Sequence, residues 1–138
     1  MGYIPATPIF LEKKTVYQNL QHILKVRKIS KRECEDKINN LLIDFNLEKY
    51  RDEKVKNLTL FEKYMLSFAR LSLRNVELVL IDNIFENLSQ EEYEKISATI
   101  KKQFLQNKTT TIVATTSSSI AKDLTKRIIK FKLGSIEE

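Results

Sequence analysis

The spacing of apolar residues changes near residue 76, and this change constrains the fold more than any other feature of the sequence. Up to that point, apolar residues recur at helical intervals, as Val16, Leu20 and Leu24 do. Beyond it, residues 78–81 form a short continuous apolar run that ends in Asp82. Such a run predicts a strand that is buried on both faces, as in a parallel sheet covered by helices. We therefore expect a helical front half followed by an α/β back half.

Three helices are predicted in the front half. Apolar periodicity and capping residues place them at residues 16–24, after the capping residue Ser30, and at residues 59–74. Residues 1–10 contain both prolines and are predicted to be extended or looped. Residues 48–57 are mostly charged, and we expect them to form a short exposed connection.

The back half alternates between strands and helices. Ser89 and Glu92 form a capping box that opens the central helix, and Gly134 predicts a turn near the end of the chain. The predicted elements are strands at 78–82, 109–115 and 128–131, the helix after Ser89, a short helix capped within 117–119, and a last strand near Ile136. This alternation is typical of an α/β sheet. The chain is expected to form one domain with two parts, residues 1–75 and 76–138.

Composition excludes several classes of site. Neither glycine nor proline occurs between Ile9 and Leu133, so that stretch cannot contain a glycine-rich phosphate-binding loop. The single cysteine, Cys34, and the single histidine, His22, exclude an intrachain disulfide and argue against zinc. We interpret Cys34 as a structural thiol. The N-terminus lacks a signal peptide and no apolar run approaches about 18 residues, so a reduced cytoplasmic setting is expected.

The net charge of +6 raises the question of a nucleic-acid partner. Acidic residues alternate with several of the basic clusters, and aromatic residues are not interleaved with them as a single-strand binder requires. We therefore interpret the basic clusters as solvated faces and argue against nucleic acid. The alternative interpretation of the basic clusters is contact with an acidic membrane surface or with a membrane-embedded subunit.

Several segments between Tyr3 and Ile136 resemble, in order and spacing, the ATP-binding cassette (ABC) family of transporter ATPases. Residues 3–6 resemble its Tyr-hydrophobic-Pro-Gln segment, and residues 78–82 match its Walker B strand without a gap. Residues 112–117 match its switch strand. The family's Leu-Ser-Gly-Gly-Gln signature falls on Leu58, Thr59, Leu60, Phe61 and Glu62.

The resemblance implies the C-terminal portion of a cassette, from the Q-loop region to the end, without Walker A. Residues 1–75 correspond to the Q-loop-like segment and helical subdomain. Residues 76–138 correspond to the distal half of a P-loop-NTPase-like parallel sheet with flanking helices.

The family's chemical positions hold other residues here. Ala6 replaces the Gln that monitors the γ-phosphate, Asn83 replaces the Glu that polarises the attacking water, and Thr116 replaces the sensor His. An amide cannot act as a base, and a hydroxyl cannot replace an imidazole. No catalytic position is therefore intact, which implies a degenerate cassette, or pseudo-ATPase.

Ala6, Asp82 and Ser89 occupy the family's nucleotide-binding positions, and Asp82 alone keeps its family residue type. Asp82 could hold magnesium only with a bound nucleotide, and the plainer reading is a turn residue at the end of a strand. Leu60 and Phe61 replace signature glycines; they are either core residues at a helix start or a partner-facing patch. The run from Thr115 to Ser119 is interpreted as helix-capping rather than catalytic.

The function expected from the resemblance is docking without ATP hydrolysis by this chain. Its partners would be a catalytic cassette and, through the helical subdomain, a transporter membrane subunit, at the inner face of the membrane. No cofactor is expected for this chain alone, and ATP with magnesium would require a P-loop from elsewhere. One alternative is the C-terminal part of a longer ATP-binding ABC protein whose P-loop lies upstream. A nucleic-acid-associated member of the family is the third hypothesis.

The resemblance also implies a missing strand beside the strand at 128–131. That strand could pair directly with the switch strand, another chain could fill the gap, or a longer protein could supply the strand. The apolar edge predicts that the isolated chain self-associates.

Overall fold

A computed structural model describes residues 1–137. Its strands are β1 (Gly2–Ile4), β2 (Leu78–Asp82), β3 (Thr110–Ala114), β4 (Lys130–Lys132) and β5 (Ser135–Glu137). Its α-helices are α1 (Val16–Lys25), α2 (Lys31–Asp44), α3 (Leu60–Ser72), α4 (Gln90–Ile100) and α5 (Ser118–Leu124). Two short 3-10 turns cover Glu48–Tyr50 and Val55–Asn57, and a π-helical turn at Lys101–Leu105 extends α4. The predicted α/β class, with helices in front and a parallel sheet behind, is confirmed.

The three strands β1, β2 and β3 form a parallel sheet in that order. Tyr3 lies opposite Leu80, and Leu80 lies opposite Ile112. The sequence predicted an extended segment or loop for residues 1–10, and the structure shows that part of it is a paired strand. The front segment of the chain therefore contributes to the sheet of the back half.

The sheet buries one face only, which corrects the expectation that β2 is buried on both faces. Val79 and Ile81 are fully buried, whereas Leu78 and Leu80 on the other face are only half-buried. Helix α3 contacts β1, and the π-helical turn after α4 contacts β3. Gly2 and Ile4, which lie opposite Val79 and Ile81, are buried on the same face.

The predicted third strand does not join the parallel sheet, which is a second correction. β4 starts at Lys130, two residues later than expected, and pairs antiparallel with β5 in a separate two-stranded sheet. The turn at Gly134 is present, with a φ of 80° that favours glycine. Every residue from 125 to 137 is exposed. Direct pairing of this strand with β3 is therefore absent from the described residues.

Helix α3 lies at the centre of the core. It carries seven buried residues, and Phe68 at its centre is fully buried. The predicted exposed connection at 48–57 is wrong in one respect, because Val55 within it is fully buried. Its backbone amide donates to the carbonyl oxygen of Lys14 at 3.0 Å, which fixes this segment to the start of the helical subdomain. No helix within residues 1–137 is long and apolar enough to cross a membrane.

Candidate functional site

The carboxyl ends of the three parallel strands bring the candidate residues to one edge of the sheet. Ala6 follows β1, Asp82 ends β2 with Asn83 after it, and Thr116 follows β3. In open α/β sheets this edge is where ligands bind. Four of the residues predicted from the sequence therefore lie along the same edge.

Asp82 has a hydrogen-bond donor from its own sheet. The phenol of Tyr3 donates to Asp82 Oδ2 at 3.1 Å, and both side chains are exposed. This hydrogen bond is the main reason why the pKa of Tyr3 is raised, and partial desolvation adds to it. One carboxylate oxygen of Asp82 is thus occupied by a neutral donor.

Asn83 has an unusual backbone and an unpaired side-chain oxygen. Its φ is 52°, and its amide donates to the carbonyl oxygen of Ala114 at 2.9 Å, which continues the β2–β3 pairing by one residue. Its Oδ1 atom is buried, and no hydrogen-bond donor reaches it within the described part of the chain. A neutral amide in this position can accept or donate a hydrogen bond, but it cannot take a proton from water.

The segment after β1 is fixed to α3 through backbone oxygens. The buried hydroxyl of Tyr64 donates to the carbonyl oxygen of Ala6, and burial raises the pKa of this tyrosine. Further along, Arg70 Nη1 donates to the carbonyl oxygen of Ile9 at 2.8 Å, and its guanidinium lies 4.1 Å from the ring centre of Phe10. Ala6 therefore contributes its backbone, and no polar side chain, to the site.

The hydroxyl-rich run after β3 begins a helix. Ser117 Oγ accepts from the amide of Ile120 at 3.4 Å as the N-cap of α5, and Thr115 Oγ1 accepts from the amide of Ser117 at 3.1 Å. The predicted capping role of this run is confirmed at Ser117. Thr116 lies between these two residues and is exposed.

The signature-like segment forms the start of α3. Thr59 caps the helix in a capping box, in which its hydroxyl accepts from the amide of Glu62 at 3.2 Å and Glu62 Oε1 accepts from the amide of Thr59 at 3.1 Å. Leu58 is buried, Phe61 is half-buried against the core, and Leu60 is 37% exposed. Phe61 thus matches the core reading, whereas Leu60 is open enough to meet a partner.

Ser89 and the signature-like residues line a second site, away from the sheet edge. Ser89 caps α4 in a capping box with Glu92, accepting from that residue's amide at 3.2 Å. A groove of about 780 Å³ lies between α3, α4 and residues 44–50, and its lining includes Thr59, Phe61 and Ser89. The candidate residues therefore fall into a sheet-edge group and a groove group.

The contact between Tyr3 and Asp82 was not predicted from the sequence, although both residues belong to recognised segments. The two residues are 79 positions apart, and only the parallel pairing of β1 with β2 brings them together. Recognising β1 as a strand parallel to β2 would have placed Tyr3 on the same face as Asp82.

The two glycines lie away from the positions that a nucleotide-phosphate site would require. Such a site needs successive backbone amides, usually presented by glycines. Gly2 lies inside β1, where a Cβ atom would come within 2.5 Å of the Leu71 side chain, and Gly134 lies in the β4–β5 turn. Neither glycine is placed to surround a phosphate. Within residues 1–137, no three His, Cys, Asp or Glu side chains are grouped closely enough to hold a metal ion.

Known proteins with similar sequences are ATP-binding subunits of transport systems. The oligosaccharides import ATP-binding protein MsmX of Bacillus subtilis is 29% identical over 124 residues, which cover 90% of this chain and 34% of MsmX. The lipopolysaccharide export system ATP-binding protein LptB of Escherichia coli is 30% identical over 86 residues, which cover 62% of this chain and 36% of LptB. The chain thus spans about a third of the length of these relatives. No protein-family model matches the sequence.

A solved structure has the same fold. CbiO1 from Clostridium perfringens, described as part of the ABC transporter complex cbiONQ, superimposes with a TM-score of 0.73 at 18% identity. The match covers 84% of this chain and 47% of CbiO1.

The described residues therefore have the mixed α/β, P-loop-NTPase-like fold of part of an ATPase domain. More particularly, the chain is a homologue of the ATP-binding proteins of ABC transporters and corresponds to part of their ATP-binding cassette, as the sequence resemblance indicated.

Proposed function

We propose that this chain is a degenerate cassette domain, or part of one, that does not hydrolyse ATP by itself and acts by docking to partner subunits. Its partners would be a catalytic cassette and a transporter membrane subunit, at the inner face of the membrane. The relatives and the fold support the cassette-like class. The residues at the sheet edge support the absence of hydrolysis.

The observation that carries the proposal is the identity and placement of Asn83. It stands directly after Asp82 at the carboxyl end of β2, where the family resemblance calls for a glutamate base. Its side chain is neutral, and one oxygen of the neighbouring Asp82 already accepts from Tyr3. Thr116 adds no imidazole, and Leu60 places a side chain where the family has glycine. ATP with magnesium would bind beside these residues only if another segment of polypeptide supplied a phosphate-binding loop.

An exposed apolar pair at the start of the helical subdomain supports docking. Ile9 and Leu11 are 73% and 52% exposed, although both belong to a backbone that is fixed in place. Arg70 binds the carbonyl oxygen of Ile9, and the buried Asn19 accepts from the amide of Leu11 at 2.9 Å. A rigid loop with exposed apolar side chains is suited to contact another protein.

The first test measures ATP hydrolysis by the purified chain. We expect the purified chain and its Asp82→Asn variant to show the same background rate of ATP hydrolysis. The reason is that Asn83, the residue after β2, cannot act as a base. Asp52→Asn, an exposed acid far from the sheet edge, serves as the control. Turnover at a typical enzymatic rate of about 1 per second that disappears in Asp82→Asn but persists in Asp52→Asn would contradict the proposal.

The second test measures docking in the source cells. The tagged chain is cross-linked in vivo, and the captured proteins are identified by mass spectrometry. We expect a catalytic cassette subunit or a transporter membrane subunit, with capture reduced by Leu11→Asp. Leu105→Asp, at an apolar residue of comparable exposure (41%) on the π-helical turn, should leave capture unchanged. If Leu11→Asp and Leu105→Asp capture equal amounts of partner, the start of the helical subdomain is not the docking surface.

A second candidate is the C-terminal part of a longer ATP-binding protein. It is favoured by one observation, that the chain spans about a third of the length of MsmX and LptB. An immunoblot of the source cells against this chain separates the two candidates. A band at the mass of 138 residues favours docking, whereas a clearly larger band favours an upstream P-loop and nucleotide binding.

A further inference from the structure

The turn between α1 and α2 carries a cluster of basic side chains. Five of the eight residues at 25–32 are basic, and none of the eight is acidic. We call these five residues the basic tip: Lys25, Arg27, Lys28, Lys31 and Arg32. All five are exposed, and none of them forms an ion pair with another of the residues 1–137. The nearest acid in the sequence, Glu33, is paired with Lys37 at 3.9 Å, one turn further along α2.

The stability of the fold does not account for these charges. Lys31 and Arg32 are the first two residues of α2, the end at which the helix dipole presents partial positive charge. Cations at that end destabilise a helix, whereas an anion such as Glu33 stabilises it. Lys28 has a φ of 52°, a conformation that glycine adopts with less strain. Basic side chains therefore occupy positions at which the fold favours other residues.

The two helices hold the basic tip on a fixed backbone. The amide of Arg27 donates to the carbonyl oxygen of Leu24 at 3.0 Å, and the amide of Glu33 donates to Ser30 Oγ at 3.2 Å. Leu24 is buried beneath the turn, and Ile29 is half-buried against the core. The basic side chains thus project together from an ordered turn.

A surface of anionic lipid headgroups fits the basic tip better than other anionic partners do. Val26, in the middle of the cluster, is 82% exposed, and an apolar side chain among basic ones can enter the interface between headgroups and acyl chains. No Phe, Tyr or Trp occurs from residue 18 to residue 44, so nucleic-acid bases find no such ring to stack on. Another part of the same protein would have to bury five unpaired cations, which carries a large desolvation cost.

We propose that the basic tip binds the anionic headgroups of a membrane surface, with Val26 entering the bilayer interface. Each Lys or Arg that approaches such a surface raises the affinity about fivefold. This inference rests on the proposed function only for the location of the chain at the inner face of the membrane. It makes no use of the docking residues Ile9 and Leu11 or of the chemistry around Asn83.

The first experiment measures co-sedimentation of the purified chain with lipid vesicles. Phosphatidylcholine vesicles that contain about a third phosphatidylglycerol are compared with vesicles of phosphatidylcholine alone. We expect binding to the anionic vesicles that falls steeply as the salt rises from about 0.05 M to about 0.3 M, because salt screens exposed charges. Equal binding to both kinds of vesicle, or no binding to the anionic ones, overturns the inference.

A double variant tests the basic tip itself. Lys31→Gln combined with Arg32→Gln should weaken binding to the anionic vesicles at least about tenfold. Its melting temperature should equal or exceed that of the wild type, because the start of α2 loses two unfavourable charges, and a folding defect is thereby excluded. Lys54→Gln combined with Lys56→Gln, at exposed residues on either side of the buried Val55, changes the net charge equally and serves as the control. A control that weakens binding as much would show a response to net charge alone and would overturn the basic tip.

A second variant tests the entry of Val26 into the bilayer. Val26→Gln removes an apolar side chain without changing the charge, and it should weaken vesicle binding at least about threefold. Ile43→Gln, at a residue of α2 that is 59% exposed, should leave binding unchanged. Equal binding by these two variants would overturn the placement of Val26 in the bilayer interface.

Other occupants of the basic tip are outcomes of the same measurements. A single-stranded oligonucleotide may be compared with the anionic vesicles at equal salt. Tighter binding to the oligonucleotide, lost on combining Lys31→Gln with Arg32→Gln, overturns the lipid surface in favour of nucleic acid. Loss of cross-linked capture in that variant, with vesicle binding intact, overturns it in favour of an acidic protein.

The outcomes separate this inference from the proposed function. Leu11→Asp should reduce the capture of partner subunits and leave vesicle binding unchanged. Vesicle binding without capture of any transport subunit overturns the proposed function and keeps the basic tip. Capture of those subunits without vesicle binding overturns the basic tip and keeps the proposed function.

Discussion

Single residues at the sheet edge are positioned by strand register. Tyr3 is level with Leu80, and its long side chain reaches two positions further along the same face to Asp82. The phenol then donates to a carboxylate that would otherwise face solvent alone. Because the bond is exposed, it defines the hydrogen-bonding state of Asp82 rather than contributing much to folding.

The first prediction concerns the titration of Tyr3. Its pKa is raised above the usual value of about 10, chiefly because its proton is shared with the Asp82 carboxylate. Asp82→Asn should therefore lower the pKa of Tyr3 towards that value, as followed by the ring ¹³C shifts in NMR. Asp52→Asn should have no effect, since that residue bonds to Arg51. An unchanged Tyr3 titration in Asp82→Asn would show that the hydrogen bond is not formed in solution.

At the scale of elements, Asp123 joins α5 to α4. Tyr93 donates to its Oδ2 atom at 2.5 Å, Ser97 donates to the same atom at 3.2 Å, and Lys101 lies 3.4 Å from Oδ1. Helix α5 has seven residues, of which Leu124 is buried and Ile120 packs partly buried against the core, and this polar contact adds to that anchoring. The hydrogen bond from Tyr93 is the main reason why the pKa of Asp123 is lowered, against a smaller opposing effect of desolvation.

The second prediction is a pH dependence of this contact. A carboxyl whose pKa is lower in the folded state stabilises the fold above its unfolded pKa of about 3.9, and this stabilisation is lost as the pH falls through the folded value. Asp123→Asn should therefore lower the melting temperature at pH 7, and the difference from wild type should shrink at pH values well below 4. Asp36→Asn, at an exposed carboxyl on α2, is the control. A difference that is constant with pH would contradict the assignment.

At the scale of the whole molecule, local sequence patterns predicted which segments form helices and strands. Contacts between segments that are distant in sequence determined which of their faces are buried. The apolar run at 78–82 and the periodicity at 59–74 predicted β2 and α3 closely, because each is long enough to carry its own signal. β1 has three residues, too few for a period, and its partner strand lies more than 70 residues away. For the same reason Asp82 could be identified from sequence, whereas its contact with Tyr3 could not.

The exposed face of the sheet and the isolated hairpin lay outside what the sequence could predict. Ile112 and Phe131 are apolar residues in β-rich segments, which normally indicates burial. Whether they are buried depends on which polypeptide lies beside them, and a local pattern does not contain that information. The structure shows that both residues are exposed, at 56% for Ile112 and 70% for Phe131.

The last prediction follows from that exposure. Because no residue from 125 to 137 is buried, ending the chain after Leu124 should change the unfolding free energy of the dilute monomer by no more than about 0.5 kcal/mol. Leu124→Ala, which empties a buried position at the end of α5, should cost about 2 kcal/mol in the same urea titration. A large loss in the truncated chain at the lowest concentration would mean that the hairpin packs on its own molecule.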